Sequence, residues 1–386
     1  MKKLAFLVLL FASLQASSQP SVTINVESTD ISAGDTLALD HMSLFYYDKI
    51  VKTTYFVADE DGKASIHDAA DSFSRLRLNI GKNNLTLYAD AGQTINIKVT
   101  NPADMEYVTP TGGFYDDPNY YDYISKHNTF ICNKNKALDK FDHFARIGVN
   151  DSAQHYFSIY NSISSREDSK RELEFMKRTD NQVSVYMYAH EWGMDDVEKK
   201  NFEKQWKKMD EEIKASGAGE YFKQTMETRK GLRPRAKASD FTVIDTRGNK
   251  VDLKSLEGRF VILYYWGVCG YVLQSCSDLV DLHEKYGDIL TTIALTEEST
   301  FNSVSNYNEH NTEPVLLPLK GLIRDDWTNV LTSRQDNEQI KEDYLMMATP
   351  CVVLISPKGR IIKHGYANVL RVARNRLKLY TLFHRK

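Results

Sequence analysis

The chain reads as a multidomain protein, α+β in front and α/β behind, and three observations predict this. Residues 20–105 alternate apolar and polar side chains in short runs broken by turn residues, the pattern of a half-buried sheet. From about residue 119 to 230 the apolar spacing becomes helical. Residues 240–386 then alternate buried strand-like runs with helical ones, which implies a central sheet with helices on its faces. At 386 residues the chain is also too long for one ordinary domain.

The first residues look like a targeting segment. Lys2-Lys3 precedes an apolar run from Leu4 to Leu14, and small residues follow at Ala16-Ser17-Ser18. This predicts a signal peptide over 1–18 and an exported, soluble, periplasmic mature protein. The apolar run is shorter than the roughly 20 residues a membrane span needs, and no cysteine stands at the cleavage region to carry a lipid. The formal charge is −3, with 49 basic and 52 acidic residues, and losing the two signal lysines makes it more acidic still. That balance argues against a nucleic-acid partner.

Residues 19–105 are expected to form a small antiparallel β-sandwich. "SVTINVES", "DTLALDHM", "RLRLNIG" and "LTLYADAGQTINIKVT" supply strands, and Asp61-Gly62 supplies a hairpin turn. A helical connector and linker follow over 106–235. There Phe202, Trp206, Met209 and Ile213 recur at helical spacing behind a cap at Asp195, and "FYDDPNYYDY" reads as aromatic packing at a domain junction. The basic, Pro-containing stretch "RKGLRPRAKAS" reads as an exposed linker.

Residues 236–386 form the last domain. Its matching pieces are "ASDFTVIDTRGNKVDLKSLEGRFVILYYWGVCG", "SDLVDLHEKYGD", "LTTIALTEES" and "ATPCVVLISPKGRII". In this order they resemble the thioredoxin-like domain of exported thiol–disulfide oxidoreductases and alkyl-hydroperoxide-reductase-like proteins. The resemblance implies that Cys269 is the nucleophile, that Trp266 closes the preceding strand, and that Pro350 is a cis-proline packed against the sulfur with Thr349 before it. It also implies protein thiols or disulfides as partners, and a small thiol as reductant. Two positions depart from the pattern: Val272 stands where a resolving cysteine belongs, and Tyr264 where a buried acid is common. The active-site motif is therefore degenerate.

The residues themselves support a reactive Cys269. A strand-to-helix junction places it at a helix N-terminus, where unpaired N–H groups and the macrodipole favour a thiolate. The competing reading is a small buried hydrophobe. Cys276 lies about 10 Å away along the same helix, beyond disulfide reach, and is expected in the core. Cys351, next to Pro350, is the candidate second thiol, and Cys132 is expected in the core of the helical region. A peroxidase is set aside, because Ile262 and Trp266 occupy the positions of its Pro and Thr. No histidine spacing suits a metal and no Gly-rich loop suits a phosphate, so neither metal nor cofactor is expected. The polar "EEST" at 297–300 reads as a solvated loop. Two functions remain open: single-cysteine thiol–disulfide exchange, or a redox-inert module that holds a peptide in the cis-proline groove.

Overall fold

The computed structural model describes residues 21–29, 31–46, 49–70, 73–163, 165–192, 199–306 and 314–384. The expected signal segment and the Asp195 cap lie outside the described residues. The chain divides into two compact units, one of residues 1–41 with 51–164, the other of residues 42–50 with 165–386. The helical stretch expected as a connector is thus shared between the two.

The first unit begins with seven strands: β1 (Ser21–Ser28), β2 (Thr36–Met42), β3 (Ile50–Val57), β4 (Lys63–Ala69), β5 (Ser74–Ile80), β6 (Asn83–Ala89) and β7 (Thr94–Val99). They form two sheets, ordered β4-β1-β7 and β3-β2-β5-β6. In β4 and β7 burial alternates residue by residue, as the sequence pattern requires. Two features depart from a simple antiparallel arrangement. Strand β1 pairs with β7 in parallel, and the Asp61-Gly62 turn carries the chain from one sheet to the other instead of closing a hairpin. Gly62 is required there: its φ is +69°, and a Cβ would lie 2.4 Å from the Ile31 carbonyl oxygen. Helices α1 (Pro118–Arg146) and α2 (Asn150–Ser162) complete this unit. The tyrosine-rich stretch packs its rings as expected, with Tyr115, Tyr120 and Tyr123 buried and in contact.

The second unit carries α3 (Ser165–Met176), α4 (Gln182–Trp192), α5 (Lys199–Lys208), α6 (Glu211–Ala215) and α7 (Gly217–Gly231). Phe202 and Met209 are buried as their spacing predicts, although the helix breaks after Lys208. The stretch read as an exposed linker is knitted into the next domain. Arg235 N–H donates to the Ile361 carbonyl, Ile361 N–H to Ala236, and Ala238 N–H to Gly359. These bonds tie its backbone to residues 359–361, while the side chains of Arg233, Pro234, Arg235 and Lys237 are exposed as expected.

The remaining elements are the hairpin β8 (Thr242–Ile244) and β9 (Lys250–Asp252), then β10 (Phe260–Tyr265), α8 (Gly270–Tyr286), β11 (Leu290–Thr296), α9 (Glu298–Ser305), β12 (Thr328–Leu331), α10 (Gln339–Asp343), β13 (Cys351–Ile355), β14 (Ile361–Gly365) and α11 (Asn368–His384). The sheet order is β12-β11-β10-β13-β14, with β10, β11 and β12 parallel and β13 and β14 antiparallel to their neighbours. All six residues of β10 are buried, as a central strand covered on both faces demands. Its alternation splits the core in two. Phe260, Ile262, Tyr264 and Trp266 join α8 and α11 on one face. Val261, Leu263 and Tyr265 join Cys351, Val353, Phe241 and Tyr344 on the other.

Candidate functional site around Cys269

Strand β10 delivers the chain to the site through Trp266. The indole is buried, and the backbone is pinned on both sides: its N–H donates to Leu295 at 2.9 Å, and its carbonyl accepts from the Thr296 hydroxyl at 2.8 Å. Trp266 therefore shapes the loop that follows. Gly267 comes next, and a Cβ there would lie 3.2 Å from the Thr349 hydroxyl oxygen. A side chain at 267 would crowd the segment that faces the sulfur.

Cys269 is the N-cap residue of α8, in extended backbone conformation, with no side-chain capping bond. Its thiol is half-buried. It donates to the Thr349 carbonyl at 3.4 Å, and the Thr349 hydroxyl stands 3.8 Å from Sγ. The Thr349–Pro350 peptide is cis. The structure thus brings Cys269, Thr349 and Pro350 together, at a helix N-terminus whose free N–H groups suit a developing thiolate. Val268 and Tyr271 flank the sulfur and are both exposed. Neither is singled out by the sequence, because exposed apolar residues beside a motif carry no periodic signal.

The other three cysteines stand elsewhere. Cys276 is buried in the α8 face of the core and donates to the Leu273 carbonyl; burial raises its pKa above the ordinary thiol value. Cys351 lies in the core cluster on the opposite face of the sheet, its sulfur 3.7 Å from His364 Nε2. Burial pushes its thiol up strongly. The candidate second thiol is therefore separated from Cys269 by the sheet itself, because alternation along β13 turns residue 351 away from the side that Cys269 packs against. Cys132 is half-exposed on α1, 3.9 Å from Asp104, and not in a core as the sequence suggests.

The two departures from the pattern also have clear surroundings. Val272 is fully buried at the third position of α8, in the same core face that Cys269 packs against. The Tyr264 hydroxyl shares a 2.8 Å hydrogen bond with Ser275, and burial raises its phenol far above the ordinary range. Tyr264 cannot take up a proton near neutral pH.

One charged pair is missed by the sequence reading. Glu297, in the stretch read as a solvated loop, accepts from Lys341, from the Tyr265 hydroxyl at 3.1 Å and from the Thr332 hydroxyl at 3.1 Å. Burial acts to raise its pKa, but the Lys341 charge and hydrogen bond, with Thr332 and Tyr265, outweigh it and hold the carboxyl below its ordinary value. Lys341 is buried and lies over the Tyr46 ring at 4.2 Å, and Tyr46 in turn donates to the Glu338 carbonyl. The pair sits at the end of β11, on the sheet face away from Cys269.

Residues 234–364 match the AhpC/TSA family. The C-terminal domain is thioredoxin-like. Among solved structures it is similar to the thioredoxin domain of a thiol-disulfide oxidoreductase from Bacteroides vulgatus, at 20% identity and a TM-score of 0.28, covering 38% of this chain and 99% of that one. A thiol:disulfide interchange protein from Bacteroides sp. matches at 19% identity and a TM-score of 0.29, over 38% of this chain and 92% of its own. The pneumococcal exposed lipoprotein thioredoxin from Streptococcus pneumoniae matches at 18% identity and a TM-score of 0.26, over 36% and 99%. No curated protein matches the chain. Among the described residues, no His, Cys, Asp or Glu cluster could hold a metal, and no helix is long and apolar enough to cross a membrane.

Proposed function

We propose that this protein performs single-cysteine thiol–disulfide exchange through Cys269 in the periplasm, delivered there by the signal segment 1–18 and preceded by a β-sandwich built from the seven N-terminal strands. The observation that carries this reading is the setting of Cys269. Its half-exposed sulfur stands at the N-terminus of α8 and meets Thr349, the residue before cis-Pro350, whereas Cys276 and Cys351 are buried.

In the reaction, the Cys269 thiolate attacks one sulfur of a partner disulfide. A mixed disulfide forms, and the other partner sulfur leaves as a thiolate that takes a proton from solvent. With Val272 in the resolving position, release needs an external thiol. That thiol attacks the mixed disulfide, regenerates the Cys269 thiolate, and leaves a new disulfide between itself and the partner. Val268 and Tyr271 offer an apolar lip to the partner segment beside the sulfur. In a Cys132→Ser background, which removes the half-exposed thiol of α1, incubating the reduced protein with oxidised glutathione should add one glutathionyl group at Cys269, removable by a second thiol and absent when Cys269→Ser is added. A protein that takes up no adduct at Cys269 refutes this proposal.

The buried Val272 also favours a second reading, a redox-inert module that holds an extended peptide against the cis-proline loop. The two readings separate on one variant. Peptide binding that survives Cys269→Ser unchanged, without any adduct in the wild type, would support the inert module.

A further inference from the structure

The opposite end of the C-terminal domain carries a surface that the thiol chemistry does not use. Helix α11 and the residues after it, 368–386, contain six Lys or Arg and no Asp or Glu, in a chain whose overall charge is negative. At the end of this helix Leu379, Leu382 and Phe383 share one face by their spacing and are 50%, 67% and 79% exposed. Beside them opens a groove of about 640 Å³, lined by Phe260, Leu379 and Phe383 and by Arg235, Arg360 and Arg376, the Arg360 guanidinium also donating to the Arg235 carbonyl at 2.9 Å. No acidic residue lines it. Among the described residues, none of these three arginines forms an ion pair, although Arg374 on the same helix is paired with Asp278. Arg360 has a structural bond, but three cations with no acidic partner around an apolar floor, next to exposed leucine and phenylalanine side chains, is more than folding alone requires.

We propose that this surface docks the protein peripherally on an anionic lipid bilayer. Phe383, Leu382 and Leu379 would enter the boundary between headgroups and acyl chains, and Arg235, Arg360 and Arg376 would meet lipid phosphates. The chemistry favours lipid over a peptide. Leu382 and Phe383 stand out from the surface, suited to enter an acyl boundary, and the groove's side chains supply no acceptor beyond the Ser356 and Tyr380 hydroxyls for a peptide's N–H groups. Phe260 opens β10 and Cys269 follows its far end, a separation of about 20 Å along the strand. Docking would therefore leave the thiol open to its partners.

The test is sedimentation of the mature protein with vesicles of phosphatidylglycerol and phosphatidylcholine, compared with phosphatidylcholine alone. Binding is expected to the anionic vesicles only, and to fall when salt is raised, because the Debye length shrinks. The triple variant Arg235→Gln, Arg360→Gln, Arg376→Gln should bind roughly 100-fold more weakly, since each basic residue near an anionic surface contributes a several-fold factor. Leu382→Ser, an exposed change that leaves the fold untouched, should weaken binding independently and serves if the triple variant is unstable. The proposal is overturned if anionic vesicles do not bind, or if both variants bind them like the wild type. It is equally overturned if an acidic peptide binds this surface and anionic vesicles do not, which would assign the surface to a protein partner.

Discussion

Val272→Cys is expected to form a disulfide with Cys269 and to turn a poor protein-disulfide reductase into a measurable one. The two residues are the N-cap and third positions of α8, and both side chains meet the same core face. One short helical turn puts their Cα atoms about 5 Å apart, inside the range a disulfide bridges. The substitution removes little volume from a buried site, so the loss of stability should stay near 1 kcal/mol. An intramolecular thiol then replaces the external one in releasing the mixed disulfide, which should raise insulin reduction by roughly 100-fold or more. Tyr264 limits the gain. Its buried phenol cannot accept the proton that a carboxylate would take. Mass spectrometry of the oxidised variant and an insulin turbidity assay check both statements. A folded variant whose two sulfurs stay reduced under oxidising conditions would show that the Cys269 thiol does not face position 272.

Lys341→Met is expected to destabilise the second unit by about 2–4 kcal/mol at neutral pH, because it strands the Glu297 carboxylate among buried neighbours. The lower part of that range allows for Glu297 being about a third exposed, at 34%. The pH dependence gives a sharper signature. In the wild type the folded carboxyl is held below its unfolded value, so its contribution is complete above the unfolded value and is lost as pH falls through the folded one. In the variant the cation is gone and only the Thr332 and Tyr265 hydrogen bonds oppose burial, so the carboxyl rises relative to the wild type and the penalty is largest at neutral pH. The gap between wild type and variant should therefore narrow as pH drops through the carboxylate range. Urea midpoints at pH 7 and pH 4 measure this, and Glu297→Gln combined with Lys341→Met should recover most of the loss. Equal gaps at both pH values would mean that Lys341 acts by packing on Tyr46 and Tyr265 alone.

What the sequence discloses and what it hides have physical reasons. The strands of the last domain are legible because β10, β11 and β13 are continuous apolar runs, and Cys269 because it follows such a run directly. The Cys269–Thr349 contact is legible only through resemblance, since the two stand 80 residues apart. The Glu297–Lys341 pair spans 44 residues and lies between an ordinary polar loop and an ordinary helix, so only the closed sheet brings the charges together. The β1–β7 pairing is hidden for a similar reason, because alternation marks a strand without naming its neighbour. The stretch near Pro234 is exposed as its composition suggests, but composition does not disclose its backbone bonds. It is basic and contains proline, yet its N–H groups find partners on the β13–β14 hairpin.

The account rests on Cys269 being the thiol of the thioredoxin-like domain that meets solvent chemistry in the folded state. Native labelling with iodoacetamide, followed by peptide mass mapping, tests this in a Cys132→Ser background that removes the half-exposed thiol of α1. The expected result is complete alkylation at Cys269, with Cys276 and Cys351 protected until denaturant is added. Labelling of Cys269 no faster than of Cys276 and Cys351 would contradict it.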